Sequence, residues 1–247
     1  MERYIIPSVF QAIQLCQFIA KSKTGLTATQ IEETLHLPRT SVFRLLRTLS
    51  SERVIEKRGT RYFYGSRVYE ISAANSRARH LQRLIAPSLA SLLASSDCSA
   101  IICVPGDYCA FVIDVLDARP SRISSIRPGS KLPLFNSAPG HIMLTYHNRY
   151  TRLKDSEKIA FFDKNLATKY RTEVCTRGFA MSYYTRRNAT LLSVPVFAKE
   201  GEFVAMLAVE LEGKEFDYKT LQSWGEKLKS IARIPLTFSL ADEEESV

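Results

Sequence analysis

Apolar residues recur along the first fifty positions with helical spacing, and the spacing breaks at defined places. Val9, Ile13, Cys16 and Ala20, with Ala12 and Ile19 alongside, predict a first helix from Ser8. Lys21-Ser22-Lys23-Thr24-Gly25 ends it, with basic residues in the last turn and then a glycine stop. Thr27-Ala28-Thr29-Gln30 reads as a capping box, Thr27 accepting from the third amide and Gln30 reaching back. The short second helix places Ala28, Ile31 and Leu35 on its buried side and gives way at His36-Leu37. Pro38 opens a third helix, where a missing N–H costs nothing.

That third helix, Pro38 to about Ser51, is the most two-sided element of the chain. Val42, Leu45, Leu46 and Leu49 form one apolar stripe. Thr40, Arg44 and Arg47 fall opposite, with Ser41 and Phe43 on the flanks, and no carboxylate joins them. Two short helices joined by a tight turn, the second basic outside, match the element that enters a DNA major groove. Arginine donates bidentately to guanine, and hydroxyls reach phosphate or base edges. Next, Arg53–Lys57 and Arg61–Tyr64 flank the turn Arg58-Gly59-Thr60, a β-hairpin with a basic tip.

From Ser66 to about Ser95 the apolar spacing is again helical, interrupted by Arg77, Arg79, His80 and Arg83, with Pro87 kinking or starting a segment. Beyond it, short apolar runs predict strands at Ala100–Val104, Ala110–Val115, Arg122–Ile126, Thr190–Ala198 and Phe203–Leu211, separated by turn residues. Gly140–Tyr146 and Tyr218–Arg233 read as helices. Helices scattered irregularly among strands argue for an α+β fold.

Composition sharpens this picture. The 247 residues suit one large or two modest domains, and 45% hydrophobic residues argue against extensive disorder. The longest apolar run, Phe203 to Val209, is far short of the ~20 residues a membrane span needs. No basic stretch leading into an apolar one opens the chain, and five scattered cysteines fit a reducing compartment, so a cytoplasmic protein is expected. The net charge of +9 is uneven: residues 1–80 carry 13 basic and 6 acidic side chains, a net +7. Such asymmetry points to a polyanion-binding module joined to a nearly neutral partner.

Little catalytic chemistry is legible. Ser137, His141 and Asp114 offer triad residue types without a Gly-x-Ser-x-Gly elbow. Cys98, Cys103 and Cys109 lack paired metal spacing and read as small buried residues. No Gly-rich phosphate loop occurs. An enzyme, a metal site and a cofactor are not expected.

Several segments resemble the IclR family of bacterial transcription regulators. Leu37-Pro38-Arg39-Thr40-Ser41-Val42-Phe43-Arg44-Leu45-Leu46-Arg47-Thr48-Leu49 is similar to its recognition helix, and Tyr62-Phe63-Tyr64-Gly65 to the exit from its wing. Arg127 to Gly140, Arg177-Gly178-Phe179 and Leu192 to Phe197 resemble later family segments in order. The likeness implies a winged helix-turn-helix domain at 1–66, a linker helix at 67–80, and an effector domain at 81–247 with a GAF/PAS-like antiparallel sheet. Two departures occur: His36 replaces the usual glycine of the turn, and Glu32 a small alanine.

The resemblance assigns DNA contacts to Thr27, Arg39, Thr40, Ser41, Phe43, Arg44, Arg47, Arg58, Arg61 and Tyr62. Of these Thr40, Ser41, Arg44 and Arg47 are expected in the major groove, and Arg39, Arg58 and Arg61 on phosphates. A homodimer, or a tetramer built from it, would meet a near-palindromic operator on double-stranded DNA. A small-molecule effector is implied at Ser137, Ala138, Pro139, Met181, Tyr183, Ser193, Ala208 and Glu210. Here this chain departs again: Tyr183-Tyr184-Thr185-Arg186-Arg187 replaces an acidic pair, Pro139 lacks an N–H, and Glu210 is a carboxylate. The effector then differs from simple anionic acids, or Tyr183 and Met181 fill the pocket. Alternatively these side chains pack the core and Glu210 faces water. Two other readings stay open: a constitutive regulator with a degenerate pocket, and a small-molecule-binding or enzymatic protein with a basic assembly domain.

Overall fold

In a computed structural model of the chain, the structure describes residues 4–22, 24–73, 76–119, 123–151, 162–185, 188–199 and 201–233. Two compact units, residues 1–76 and 77–247, divide it.

The first unit runs α1 (Pro7–Lys21), β1 (Leu26–Thr27), α2 (Ala28–Leu35), α3 (Arg39–Ser51), β2 (Ile55–Arg58), β3 (Arg61–Tyr64) and α4 (Arg67–Ala73). The capping box forms: the Gln30 amide donates to Thr27 Oγ1 at 3.2 Å and the Thr27 amide to Gln30 Oε1 at 3.0 Å. His36 closes α2 in the left-handed region, φ 52° and ψ 42°, at a cost of about 1 kcal/mol that glycine would avoid. Pro38 sits one residue outside α3, as its N-cap, and its carbonyl accepts from the Ser41 and Val42 amides.

Leu15, Ile19, Ile31, Val42, Leu46 and Ile55 form the core of this unit. The first helix turns differently from the expected stripe. Leu15 and Ile19 face inward, whereas Val9, Phe10 and Ile13 are 52%, 50% and 54% exposed and Ala20 is exposed too. Both faces of α1 carry apolar residues, so spacing alone selects neither. The choice is made by packing and by the Tyr64 hydroxyl, which donates to the Cys16 carbonyl at 2.5 Å. β2 and β3 form the expected hairpin, and β1 adds to β3 as a third strand that the apolar pattern does not announce.

The second unit comprises α5 (Ser76–Ala94), β4 (Ser99–Pro105), β5 (Cys109–Asp117), β6 (Lys131–Pro133), α6 (Ala138–Tyr146), α7 (Asn148–Thr151), α8 (Lys164–Arg177), β7 (Ala180–Tyr184), β8 (Ala189–Phe197), β9 (Phe203–Glu212) and α9 (Tyr218–Ala232). Its antiparallel sheet has the order β6-β5-β4-β9-β8-β7. Leu81, Ile85 and Leu89 of α5 and Leu221 and Leu228 of α9 pack on one face, and Ile142 and Met143 of α6 on the other. Burying a side chain the size of Leu89 stabilises the fold by about 1.5–3 kcal/mol.

One expected strand is absent. Residues 123–126 form no strand, and residue 122 lies outside the described residues. The Ser124 amide donates to Asp117 Oδ1 and the Ile126 amide to Ser124 Oγ, both at 3.0 Å, so these donors serve side chains instead of a ladder.

Gly65 at the wing exit is held by close approach. A Cβ there would lie 2.2 Å from the Arg53 carbonyl oxygen, while the Gly65 amide donates to Val54 O at 2.9 Å. Gly65→Ala is therefore expected to destabilise the first unit by about 1–3 kcal/mol, measured by thermal unfolding. An unchanged melting temperature would show that this turn yields without cost.

Candidate functional site

The outward side of α3 forms the first candidate site. Burial of Val42 and Leu46 turns Arg39, Thr40, Phe43, Arg44 and Arg47 to solvent, with Ser41 half-buried. Phe43 is 62% exposed on the same face. Arg39 lies 4.0 Å from Glu32, so the departure at Glu32 supplies a loose counter-charge at the start of α3. Among the described residues Arg44 and Arg47 have no ion pair. At the wing tip, Arg58 pairs with Glu56 and stacks over Phe63 at 5.3 Å, with its side chain 69% exposed.

Three of the expected DNA contacts also have partners within the protein. Thr27 spends its hydroxyl in the capping box. Arg61 donates from Nη1 to the Gly25 carbonyl at 3.0 Å, tying β3 to the loop before β1. Half-buried Tyr62 packs against the core, with Lys57 over its ring at 5.9 Å. Arg39, Thr40, Phe43, Arg44 and Arg47 thus share one exposed surface, and Arg58 marks the wing.

The second candidate site lies on the α6 side of the larger sheet. Ser193 pairs with Ala208 and with Ala180, and Glu210 pairs with Leu191 and with Ser99. Glu210 is only 8% exposed and does not face water; its carboxylate accepts from the Ser124 hydroxyl. The Ser193 hydroxyl donates to Leu207 O at 2.9 Å. At the start of α6, Ser137 Oγ accepts from the Gly140 amide at 3.0 Å and donates to Pro133 O at 2.7 Å. The Ala138 amide donates to Ser182 Oγ at 2.9 Å. Gly140 is required there, because a Cβ would meet Leu134 O at 2.3 Å.

That Ser182 bond fixes the parity of β7. Side chains alternate along a strand, so Ser182 and Tyr184 turn toward α6, and Met181 and Tyr183 turn to the opposite face. Tyr183 donates to Asn188 Oδ1 at 3.0 Å and lies under Lys214 at 5.7 Å, and both it and Met181 still border the cavity at this edge. Sequence reasoning placed the segment 181–184 here but missed Tyr170, since α8 carries no apolar stripe strong enough to reveal it. Arg186 and Arg187 lie outside the described residues. A cavity of about 690 Å³ opens at this edge, reaching Asn136, His141 and Tyr170.

The triad residue types do not converge. His141 Nε2 lies 2.9 Å from Phe135 O, and its ring stacks on Tyr170 with centroids 3.6 Å apart. Asp114 accepts from the Val115 amide at 2.8 Å. Burial raises the buried Cys103 thiol, which is the environment of a packing residue. Among the described residues no group of three His, Cys, Asp or Glu side chains is placed to hold a metal ion.

Comparison with known proteins bears on both sites. Residues 8–59 match the family described as the IclR helix-turn-helix domain. The acetate operon repressor of Salmonella typhimurium is 23% identical over 144 residues, 57% of this chain and 53% of that protein. The chain spans about half the length of the curated relatives it matches. An IclR transcriptional regulator from Alicyclobacillus acidocaldarius is similar in structure, with TM-score 0.71, 22% identity, and coverage of 93% of this chain and 97% of that one. An IclR homolog from Microbacterium hydrocarbonoxydans, solved with 4-hydroxybenzoate, has TM-score 0.74 at 16% identity, covering 91% and 95%. These structural likenesses establish the fold, a winged helix-turn-helix followed by an antiparallel-sheet domain.

Burial, more than the opposing Phe135 carbonyl and Glu173 carboxylate, holds the His141 imidazole below its ordinary value of 6.5. The unfolded chain therefore takes up this proton first, and the stability contributed by the neutral ring is lost as pH falls below that value. Acidification below about pH 6.5 should lower the melting temperature of the second unit, and His141→Gln should flatten part of that fall. His147, shifted the same way by burial and Arg149, contributes in the same direction. An unchanged slope in His141→Gln would contradict the assignment.

Proposed function

We propose that the chain, whose residues 8–59 match the IclR helix-turn-helix domain, is a sequence-specific DNA-binding transcriptional regulator of that family whose operator affinity is modulated by a small molecule held in the C-terminal unit. In this reading residues 1–66 bind DNA, 67–80 link, and 81–247 sense the effector. One observation carries it: Arg44 and Arg47 stand exposed and without ion pairs among the described residues, on a helix anchored by Val42 and Leu46. Thr40, Ser41, Arg44 and Arg47 enter the major groove, while Arg39 and Arg58 bind phosphates and Phe43 packs on the duplex. Arg61, Thr27 and Tyr62 support that surface from within.

The exposed stripe Val9, Phe10 and Ile13 on α1 supports self-association of the first unit. A homodimer presents two copies of α3 to a near-palindromic operator. The relatives matched are regulators, and the scattered Ser137, His141 and Asp114 favour binding over catalysis. No helix among the described residues is long and apolar enough to cross a membrane, consistent with action on cytoplasmic DNA. The effector changes operator affinity by favouring one arrangement of the protein over another.

Gel shifts on an operator selected from random duplexes test the contacts. Arg44→Ala should cost about 1–3 kcal/mol on the operator and much less on unrelated DNA. Arg58→Ala should weaken all sequences alike and reduce the salt slope by about one unit. Equal losses on every sequence for both variants would show that Arg44 reads no base. Phe10→Asp should shift the protein toward monomer in sedimentation and weaken operator binding; an unchanged oligomer would place the self-contact elsewhere.

A further inference from the structure

One ridge of α3 carries Arg39, Phe43 and Arg47, each about one helical turn from the next. All three are exposed, Phe43 by 62% and the Arg39 side chain by 90%. Thr40 and Arg44, also exposed, lie beside this ridge, and α3 itself contains no acidic residue. Glu32 of α2 stands 4.0 Å from Arg39, at the end of the ridge away from Arg47. A phenylalanine thus sits on the outward side of α3 with a guanidinium before it and another after it.

A lone exposed phenylalanine is ordinary on a protein surface, and its neighbours decide what it meets. Here those neighbours are cations and a hydroxyl, so the surface that complements the ridge is a polyanion. A helix about 10–12 Å across nearly fills a major groove about 12 Å wide, so the flank of α3 meets base edges as its centre does. The benzyl ring of Phe43 has no hydrogen-bond donor or acceptor and cannot read the polar pattern of a base pair. The major groove offers one apolar feature to such a ring, the 5-methyl group of thymine.

We infer that Phe43 is a specificity-determining residue that reads thymine by packing its ring on the 5-methyl group. This deepens the sequence-specific DNA binding proposed above and rests on it. Phe43 and Arg47 are four residues apart, about 6 Å along the helix axis, and successive bases of a strand are about 3.4 Å apart. The thymine therefore lies within about two base pairs of the base that Arg47 contacts, once in each half-site.

Gel shifts of the full chain on an operator selected from random duplexes test this, with each thymine replaced in turn by deoxyuridine, which lacks only the methyl group. At one thymine per half-site the replacement should weaken binding about fourfold, the worth of one buried methyl-sized group. Arg47→Ala, by relaxing preference at its own base pair, marks the place from which the distance to that thymine is counted. Phe43→Ala should bind the thymine and deoxyuridine duplexes alike, and Phe43→Leu should retain part of the difference. Both variants should match the parent chain in circular dichroism and in affinity for unrelated DNA, because Phe43 stands outside the core of the first unit. At the same position 5-methylcytosine should bind more tightly than cytosine. Four results would each overturn the assignment: indifference of the parent chain to deoxyuridine at every thymine, methyl sensitivity that persists in Phe43→Ala, 5-methylcytosine no better than cytosine, or a sensitive thymine far from the Arg47 base pair. In each of these an operator is still selected, so sequence-specific binding survives. Selection of no preferred duplex would remove that reading and this assignment together.

Discussion

Burial of Val42 and Leu46 in the first unit is the constraint on which its surface depends. A helix rotates about 100° per residue, so anchoring those two side chains leaves Arg44 and Arg47 no inward orientation. The capping box of α2 and the left-handed turn at His36 set where α3 begins. Tyr64 and Arg61 brace the wing from behind through the Cys16 and Gly25 carbonyls. The polar surface is thus a by-product of where the aliphatic ridge goes. Removing that ridge would scatter the arginines without touching one of them.

A comparable constraint operates in the second unit through a single hydroxyl. Ser182 Oγ receives the Ala138 amide, which joins an edge strand to the start of α6 and fixes the parity of β7. Ring-bearing Tyr184 consequently turns toward α6, and residues 181 to 185 together border the cavity. The same bond, with the Ser137 cap, consumes donors that a helix end otherwise offers to anions. Local satisfaction of backbone groups and the chemistry of the cavity are one arrangement seen from two sides.

The N-terminal unit was largely legible because its signals are local. Thr27 and Gln30 cap within one turn, the α3 stripe repeats within one helix, and a two-residue turn at Gly59-Thr60 closes the hairpin. Strands β4, β5, β8 and β9 also announced themselves as apolar runs. α8 did not: with only Ala167 and Val174 buried, it has no continuous stripe, and its marks are the Asp163 cap and the stop at Gly178. The apolar run ending at Ile126 misled for the opposite reason, since its amides are captured by Asp117 and Ser124.

The amino-acid sequence by itself determined the order of elements, the two-sided character of α3 and the concentration of positive charge in the first third of the chain. Those properties follow from side-chain spacing and composition, which need no distant partner. Only the tertiary structure decided which face of α1 is buried, that Arg61 is tied to the Gly25 carbonyl, and that Tyr170 borders the cavity. Each of these depends on a contact between residues far apart in the chain or on a one-residue parity. Helical and strand periodicity describe faces without saying which neighbour each face will meet.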